Sequence, residues 1–275
     1  KVRVASVLGS IQSTLTNFPY LRKIWQKNTE DERLLGVSLT GILDCPLTAG
    51  QSEKASKELP ELLESLRDVA RKTNKKMAKA LKINESAAIT CVKPSGTVSQ
   101  LVDSASGIHA RHSKYYLRTV RGDNKDPLTQ FLKDAGVPAE PCVMKGDTTT
   151  VFTFPVKAPE ACITRHDMTA IEHLELWKTY QLHWCEHKPS ITVSVTEAEW
   201  PEVGAWVWNN FDIVSGISFL PYDGGTYKQA PYQETDPDTY NEYKTIMPTT
   251  INWEALIEQT DETVGSQELA CAVGS

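Results

Sequence analysis

The sequence predicts an α/β fold, formed by one large domain or by two smaller ones. Residues 61–81 carry apolar side chains at helical spacing, with lysines and arginines on the other face, which predicts a helix packed on a sheet. Residues 87–92 and 189–196 are rich in β-branched side chains, as is typical of buried strands. Helices and strands therefore alternate along the chain.

Local patterns predict the remaining elements in order. The predicted helices cover residues 18–27, 61–81, 127–136, 167–187, 199–209, 239–246 and 253–257. The predicted strands cover residues 34–42, 87–92, 115–121, 148–156, 189–196 and 212–220. Thr169 and Glu172 have the spacing of a capping box, which predicts the start of the 167–187 helix.

Composition places the chain among ordinary globular proteins. Of its 275 residues, 40% are hydrophobic and 23% are charged, so a substantial core can form. The net charge of −6 argues against a broad nucleic-acid-binding face. No apolar stretch is long enough for a membrane helix, and residues 1–5 lack the apolar centre of a secretory signal. We therefore expect a soluble, cytoplasmic protein with neither a nucleic-acid nor a membrane partner.

The six cysteines do not form a recognisable framework. They show no CxxC pair and no regular spacing, which argues against a disulfide scaffold and a zinc ribbon. We expect most of them to be small buried hydrophobic residues. Cys271 is the exception, because it lies in a Gly- and Ser-containing tail, where an incidental exposed thiol and a functional thiol are both open.

The strand at residues 87–92 leads into a turn suited to an anion. Lys93 and Pro94 precede a run of small residues, after which an apolar pattern suggests a helix start; the candidate ligands of the anion are Ser95, Gly96, Thr97, Val98 and Ser99. Successive backbone N–H groups at a helix N-terminus favour negative charge. The turn lacks the Gly-Lys-Ser/Thr of a P-loop. The alternative is a turn that only caps the helix.

Two histidine pairs raise the question of a metal. His183 and His187 are four residues apart in the predicted 167–187 helix and would share one face, which is a zinc geometry. No third ligand lies nearby, and histidines at a helix C-terminus are also explained by the helix dipole. His109 and His112 share a loop but likewise lack further ligands. We therefore predict no metal site.

Several segments, taken together, resemble one enzyme family. The run ITCVKPSGTVS at residues 89–99, followed by GIHA at 107–110, resembles the substrate-phosphate loop of ribonucleotide reductases. Further similar segments lie at residues 8–16, 34–41, 190–196 and 216–221. The likeness is strongest to the monomeric, adenosylcobalamin-dependent, class II ribonucleoside-triphosphate reductases. It implies the second half of a ten-stranded α/β barrel at residues 1–258 and a truncated, flexible redox tail at 259–275, within a longer protein.

The resemblance also implies a chemistry. This family reduces ribonucleoside triphosphates to 2′-deoxyribonucleotides for DNA synthesis, with adenosylcobalamin generating a thiyl radical on a finger-loop cysteine. A cysteine pair supplies the electrons, and a second pair on the tail restores it with thioredoxin as reductant. The substrate phosphates are implied to bind at residues 95–99, and Cys271 is implied to be the first tail cysteine.

The chain lacks one family signature. It contains no Asn-x-Cys-x-Glu segment, so the finger-loop radical cysteine is missing, and we expect the chain to be inactive without the remainder of its protein. The alternative function is a non-catalytic α/β module that binds a nucleotide or phosphate.

Overall fold

The computed structural model describes residues 1–222 and 227–257, which form two compact units. The first unit contains residues 1–111 and 161–222, and the second contains residues 112–160 and 227–257. The helices are α1 Val2–Gln12, α2 Lys23–Glu32, α3 Glu53–Leu81, α4 Val98–Leu101, α5 Pro127–Asp134, α6 Ala170–His183, α7 Trp200–Asn209 and α8 Pro237–Ile246. The strands are β1 Val37–Ser38, β2 Thr90–Cys91, β3 Tyr115–Asp123, β4 Ala139–Pro141, β5 Thr149–Lys157, β6 Ser190–Val195, β7 Gly216–Pro221 and β8 Tyr232–Glu234. Short 3-10 turns lie at Ile42–Asp44, Glu197–Glu199 and Trp253–Ala255.

Parallel strands organise the first unit. β1 pairs with β2, and β6 pairs with β7 from Ser190 opposite Gly216 to Val195 opposite Pro221. The Ser190 N–H donates to the Val92 carbonyl at 2.8 Å, which links the end of β2 to the start of β6. Parallel pairs need crossover connections, and helix α3 lies between β1 and β2 while helix α7 lies between β6 and β7. The predicted α/β class is therefore confirmed for this unit.

The core of the first unit is formed by α3, α6 and the strands they cover. Leu59 and Leu63 of α3 and Leu174 and Trp177 of α6 are buried in one apolar cluster. The Trp177 indole N–H donates to the Pro189 carbonyl at 3.1 Å, so its polar atom is satisfied inside the core. This packing fixes the positions where β2 and β6 begin and end.

The second unit is built on an antiparallel sheet in the order β4-β5-β3-β8. The β3–β5 pair is nine residues long, from Tyr115 opposite Lys157 to Asp123 opposite Thr149. The strands described here form this sheet and the two parallel pairs; no closed barrel is present among them. The described residues therefore support a mixed α/β fold, but they do not show the ten-stranded barrel that the resemblance implied.

Several predicted boundaries were wrong. The helix predicted at 18–27 begins only at Lys23 and continues to Glu32 as α2, and α1 was not among the predicted helices. The hydroxyls of Ser13 and Thr14 donate to the Ser10 and Ile11 carbonyls, so they end α1 and do not cap the next helix. The helix predicted at 61–81 starts at Glu53, because the Ser52 hydroxyl caps it and the chain continues through Pro60. No described helix is long and apolar enough to cross a membrane.

Candidate anion site

The candidate site is the turn that follows β2. After Val92 the chain passes Lys93 and Pro94 and then turns through residues 95–97 into α4. Pro94 has no N–H to continue a strand ladder. The N–H and the hydroxyl of Ser99 both donate to the Ser95 carbonyl, the N–H at 2.8 Å, and this closes the turn. The predicted order of strand, small-residue turn and helix is therefore present, although α4 is only four residues long.

The backbone N–H groups of this turn divide into two sets. The Ser95 N–H donates to the Ser106 hydroxyl at 2.9 Å, and the Ser99 N–H is used within the turn. Within the described part of the chain, the N–H groups of Gly96, Thr97 and Val98 have no protein acceptor. These three residues are exposed, whereas Ser99 is fully buried. Three successive free N–H groups can bind an anion, and Ser99 supports the turn from behind.

The loop after α4 supports the turn. Gly107 has a φ of +54°, and a Cβ at this position would lie 3.0 Å from the Lys93 carbonyl oxygen, so only glycine fits here. The Arg111 guanidinium, buried in the first unit, donates to both carboxylate oxygens of Asp44 at 2.9 Å and to Asp103 at 3.1 Å. A buried arginine held by two carboxylates fixes the loop between residues 103 and 111.

His109 links the same loop to β6. Its Nδ1 lies 2.9 Å from the Ser106 carbonyl, and its Nε2 accepts the Thr192 N–H at 3.0 Å. A ring nitrogen that accepts an N–H carries no proton, so Nδ1–H is the donor and the ring is neutral. Burial lowers the pKa of His109, which favours this form. His109 therefore has a structural role: it holds the loop that supports the turn against β6.

The two histidines considered for zinc, His183 and His187, do not lie in the same helix. Helix α6 ends at His183, because Trp184 is buried with its indole N–H on the Cys91 carbonyl, so His187 lies beyond the helix. His183 Nδ1 lies 2.8 Å from a Glu64 carboxylate oxygen, and His187 Nε2 lies 2.7 Å from the Leu35 carbonyl oxygen. The assumption that the two histidines share one helix face was therefore wrong. Among residues 1–222 and 227–257 no group of three or more His, Cys, Asp or Glu is arranged to hold a metal.

Comparisons with known proteins identify the family of this segment. No protein-family model matches the chain. It is 32% identical over 79% of its length to an adenosylcobalamin-dependent ribonucleoside-triphosphate reductase of Euglena gracilis, and 29% identical over 93% of its length to one of Lactobacillus delbrueckii subsp. bulgaricus. A crystal structure of a B12-dependent, class II ribonucleotide reductase matches 98% of the chain with a TM-score of 0.79 and 25% identity.

The chain is a homologue of part of the adenosylcobalamin-dependent, class II ribonucleotide reductases. It spans well under half the length of these class II reductases: 30% and 37% of the two relatives and 40% of the solved chain. The resemblance noted in the sequence is confirmed at the level of the family.

The cysteines of this class II homologue behave mostly as predicted. Cys91, Cys142 and Cys162 are buried in their units. Burial raises the pKa of Cys185 to about 12, so its thiol is unreactive. Cys45 is exposed, and a hydrogen bond from the Thr48 backbone lowers its pKa, which the sequence did not indicate. Cys271 lies outside the described residues, so its role stays a prediction.

Two supporting residues of the turn were missed by sequence reasoning. The Ser106 hydroxyl accepts the Ser95 N–H, and the Thr40 hydroxyl lies 2.7 Å from the Ser95 hydroxyl. Thr40 follows β1 and Ser95 follows β2. Because β1 and β2 are parallel, these two residues both lie beyond the carboxyl ends of paired strands. A hydroxyl residue before Gly41 at the end of a predicted strand was the available signal.

Proposed function

We propose that this chain is the segment of a class II ribonucleotide reductase that holds the phosphates of a ribonucleoside triphosphate during its reduction to a 2′-deoxyribonucleotide. The observation that carries the proposal is the set of free N–H groups at Gly96, Thr97 and Val98. Substrate phosphates are anionic hydrogen-bond acceptors. The three N–H groups can bind them without first breaking a hydrogen bond to another part of the protein.

The surroundings of the turn support an anionic ligand. Lys93 is exposed beside the turn, with its Nζ 3.0 Å from the Ser190 hydroxyl, so a positive charge lies near the free N–H groups. The Thr97 side chain is exposed and can add a hydroxyl donor to them. Because α4 is a single turn, the N–H groups themselves, and not a long helix dipole, supply the attraction.

The relatives that the chain matches are named as adenosylcobalamin-dependent enzymes. Both ring nitrogens of His109 are used in hydrogen bonds to backbone groups, so its imidazole is not free to bind a metal. The proposed function therefore gives this segment the substrate phosphates and assigns the cofactor to no residue in it.

Substitution of Gly96 tests the phosphate site. A Cβ at Gly96 would meet no atom within 4 Å, and its φ lies outside the left-handed region, so Gly96→Val should leave the fold intact. The larger side chain would occupy the space over the free N–H groups. We expect the affinity for a ribonucleoside triphosphate, measured by calorimetric titration, to fall about tenfold or more, as expected for lost charge-assisted hydrogen bonds.

Gly204→Val on α7 is the matched control, because a Cβ there also meets no atom within 4 Å and lies away from the turn. This variant should bind the triphosphate like the wild type. Equal affinity of Gly96→Val and Gly204→Val would contradict the phosphate assignment and favour a turn that only caps α4.

We also propose that Cys271 is the first cysteine of a redox tail that is reduced by thioredoxin. Its position in the sequence and the family support this role. In the complete gene product, Cys271→Ser should abolish turnover with thioredoxin and keep much of the turnover with a small dithiol, which needs no tail. Equal losses with both reductants would remove this role.

A further inference from the structure

We propose that Thr40 is a positioning residue that decides whether the Ser95 hydroxyl can donate a hydrogen bond to a bound phosphate. The proposal rests on the proposed function, because it concerns the same turn. Thr40 is exposed, and Ser95 is half-buried beside the exposed residues Gly96 and Thr97. A ligand at the free N–H groups would therefore meet the Thr40–Ser95 hydroxyl pair.

The Thr40 hydroxyl oxygen has three close partners. It lies 3.0 Å from the Ala105 carbonyl oxygen, it accepts the Gly107 N–H at 3.0 Å, and it lies 2.7 Å from the Ser95 hydroxyl oxygen. The Gly107 N–H can only donate a hydrogen bond, and the Ala105 carbonyl can only accept one. Both roles are therefore fixed by chemistry, and only the Thr40–Ser95 contact can be formed in either direction.

The number of hydroxyl protons determines the direction of the Thr40–Ser95 hydrogen bond when no ligand is bound. A hydroxyl has one proton and two lone pairs. If the Thr40 proton is donated to Ala105, then the contact with Ser95 requires the Ser95 proton. Ser95 then presents only lone pairs to the ligand side of the turn. A phosphate oxygen, which is also an acceptor, would be repelled by this arrangement.

If the direction of the Thr40–Ser95 hydrogen bond is reversed, the Ser95 hydroxyl can donate to the ligand, and the protein loses little hydrogen-bond energy. If the Thr40 hydroxyl rotates from Ala105 to Ser95, the Ser95 proton is released for a phosphate oxygen. The Ala105 carbonyl keeps a second donor, the Gly41 N–H at 2.8 Å, so it does not become an unpaired buried acceptor. The Ser95 N–H stays on Ser106, so the backbone of the turn need not move.

A double-mutant cycle with inorganic triphosphate as the probe tests this inference. The complete gene product that carries this segment would be compared as wild type, Thr40→Val, Ser95→Ala and the double variant, with affinities from calorimetric titration. We expect Ser95→Ala to bind about tenfold more weakly because the donor to the phosphate is lost, and Thr40→Val to bind more weakly because the bound Ser95 hydroxyl loses the Thr40 hydroxyl that orients it. The double variant should be no weaker than Ser95→Ala, because Thr40 acts only through the Ser95 hydroxyl. Thr40→Ser should restore most of the affinity.

Additive losses in the double variant, or an undiminished affinity of Thr40→Val, would overturn the inference. Loss of the Gly107 acceptor could also unfold Thr40→Val, so a measurement on the wild type accompanies the cycle. With 13C-labelled alanine carbonyls, saturation with triphosphate should shift the Ala105 carbonyl resonance towards that of a carbonyl with one hydrogen bond. An unmoved Ala105 resonance at saturation would overturn the inference.

The two proposals fail in different ways. If Gly96→Val binds triphosphate as tightly as the wild type, the phosphate site itself is wrong. If Gly96→Val loses affinity and Thr40→Val does not, the phosphate site stands and only the role of Thr40 is wrong.

Discussion

His173 shows how burial determines the chemistry of a single residue in the first unit. Its Nε2 lies 2.7 Å from the Ile108 carbonyl oxygen, and its ring is edge-on to that of His109 at 6.4 Å between centroids. Burial lowers the pKa of His173 to about 4. The residue is therefore neutral at pH 7 and holds the loop just before His109, behind the anion turn.

This pKa predicts acid sensitivity. The unfolded chain binds a proton at His173 near pH 6.5 and the folded chain only near pH 4, so stability should fall as the pH decreases through that interval. The loss attributable to His173 is about 3 kcal/mol, from a shift of roughly two and a half pH units. Free energies of unfolding in urea at several pH values measure it. His173→Gln should show a flatter dependence on pH, and an unchanged slope would contradict the assignment.

The turn itself could be predicted from local sequence, whereas its support could not. Gly96 and Thr97 are exposed at the end of a strand, as the small-residue run indicated. The Ser95 N–H is taken by Ser106, and the Ser95 hydroxyl contacts Thr40, which is 55 positions away in sequence. Contacts of such long range arise from tertiary packing, which neither propensity nor spacing encodes.

Among the helices, the start of α6 was predicted and its end was not. Thr169 accepts the Glu172 N–H at 3.2 Å, and Glu172 accepts the Thr169 N–H at 2.8 Å, which confirms the capping box. The end is set by Trp184, whose indole lies in the core against β2. Caps are local sequence signals, whereas the helix end here is a consequence of packing.

The capping box predicts a measurable contribution to stability. Thr169→Ala removes one acceptor at the start of α6 and should lower the free energy of unfolding by about 1 kcal/mol. Thr179→Ala is the control on the same helix, since the Thr179 hydroxyl only donates back to the Glu175 carbonyl, and it should be close to neutral. Equal effects of the two variants in urea denaturation would argue against the cap.

Helix α3 begins before the predicted start at residue 61. The added first part contains Pro60, and proline inside a helix removes a hydrogen bond. The structure continues the helix back to Glu53, and this first part buries Ala55 and Leu59. Burial of these apolar side chains offsets the cost of the proline.

For the whole molecule, the family could be recognised but the arrangement of strands could not. The segments at residues 34–41 and 89–99 became β1, β2 and the anion turn of the first unit. The second unit instead contains an antiparallel sheet of four strands, which local alternation alone did not distinguish from parallel strands. The proposed division into a barrel half at 1–258 and a tail at 259–275 stays a prediction, since residues 258–275 lie outside the described part.

The measurement that tests the account most directly is deoxyribonucleotide formation by the complete gene product that carries this segment. The assay supplies a ribonucleoside triphosphate and a dithiol, with and without adenosylcobalamin. The account predicts product only when the cofactor is present, and about tenfold or greater loss of substrate affinity in Gly96→Val. Product formed equally well without the cofactor, or no product from the intact protein under either condition, would contradict it.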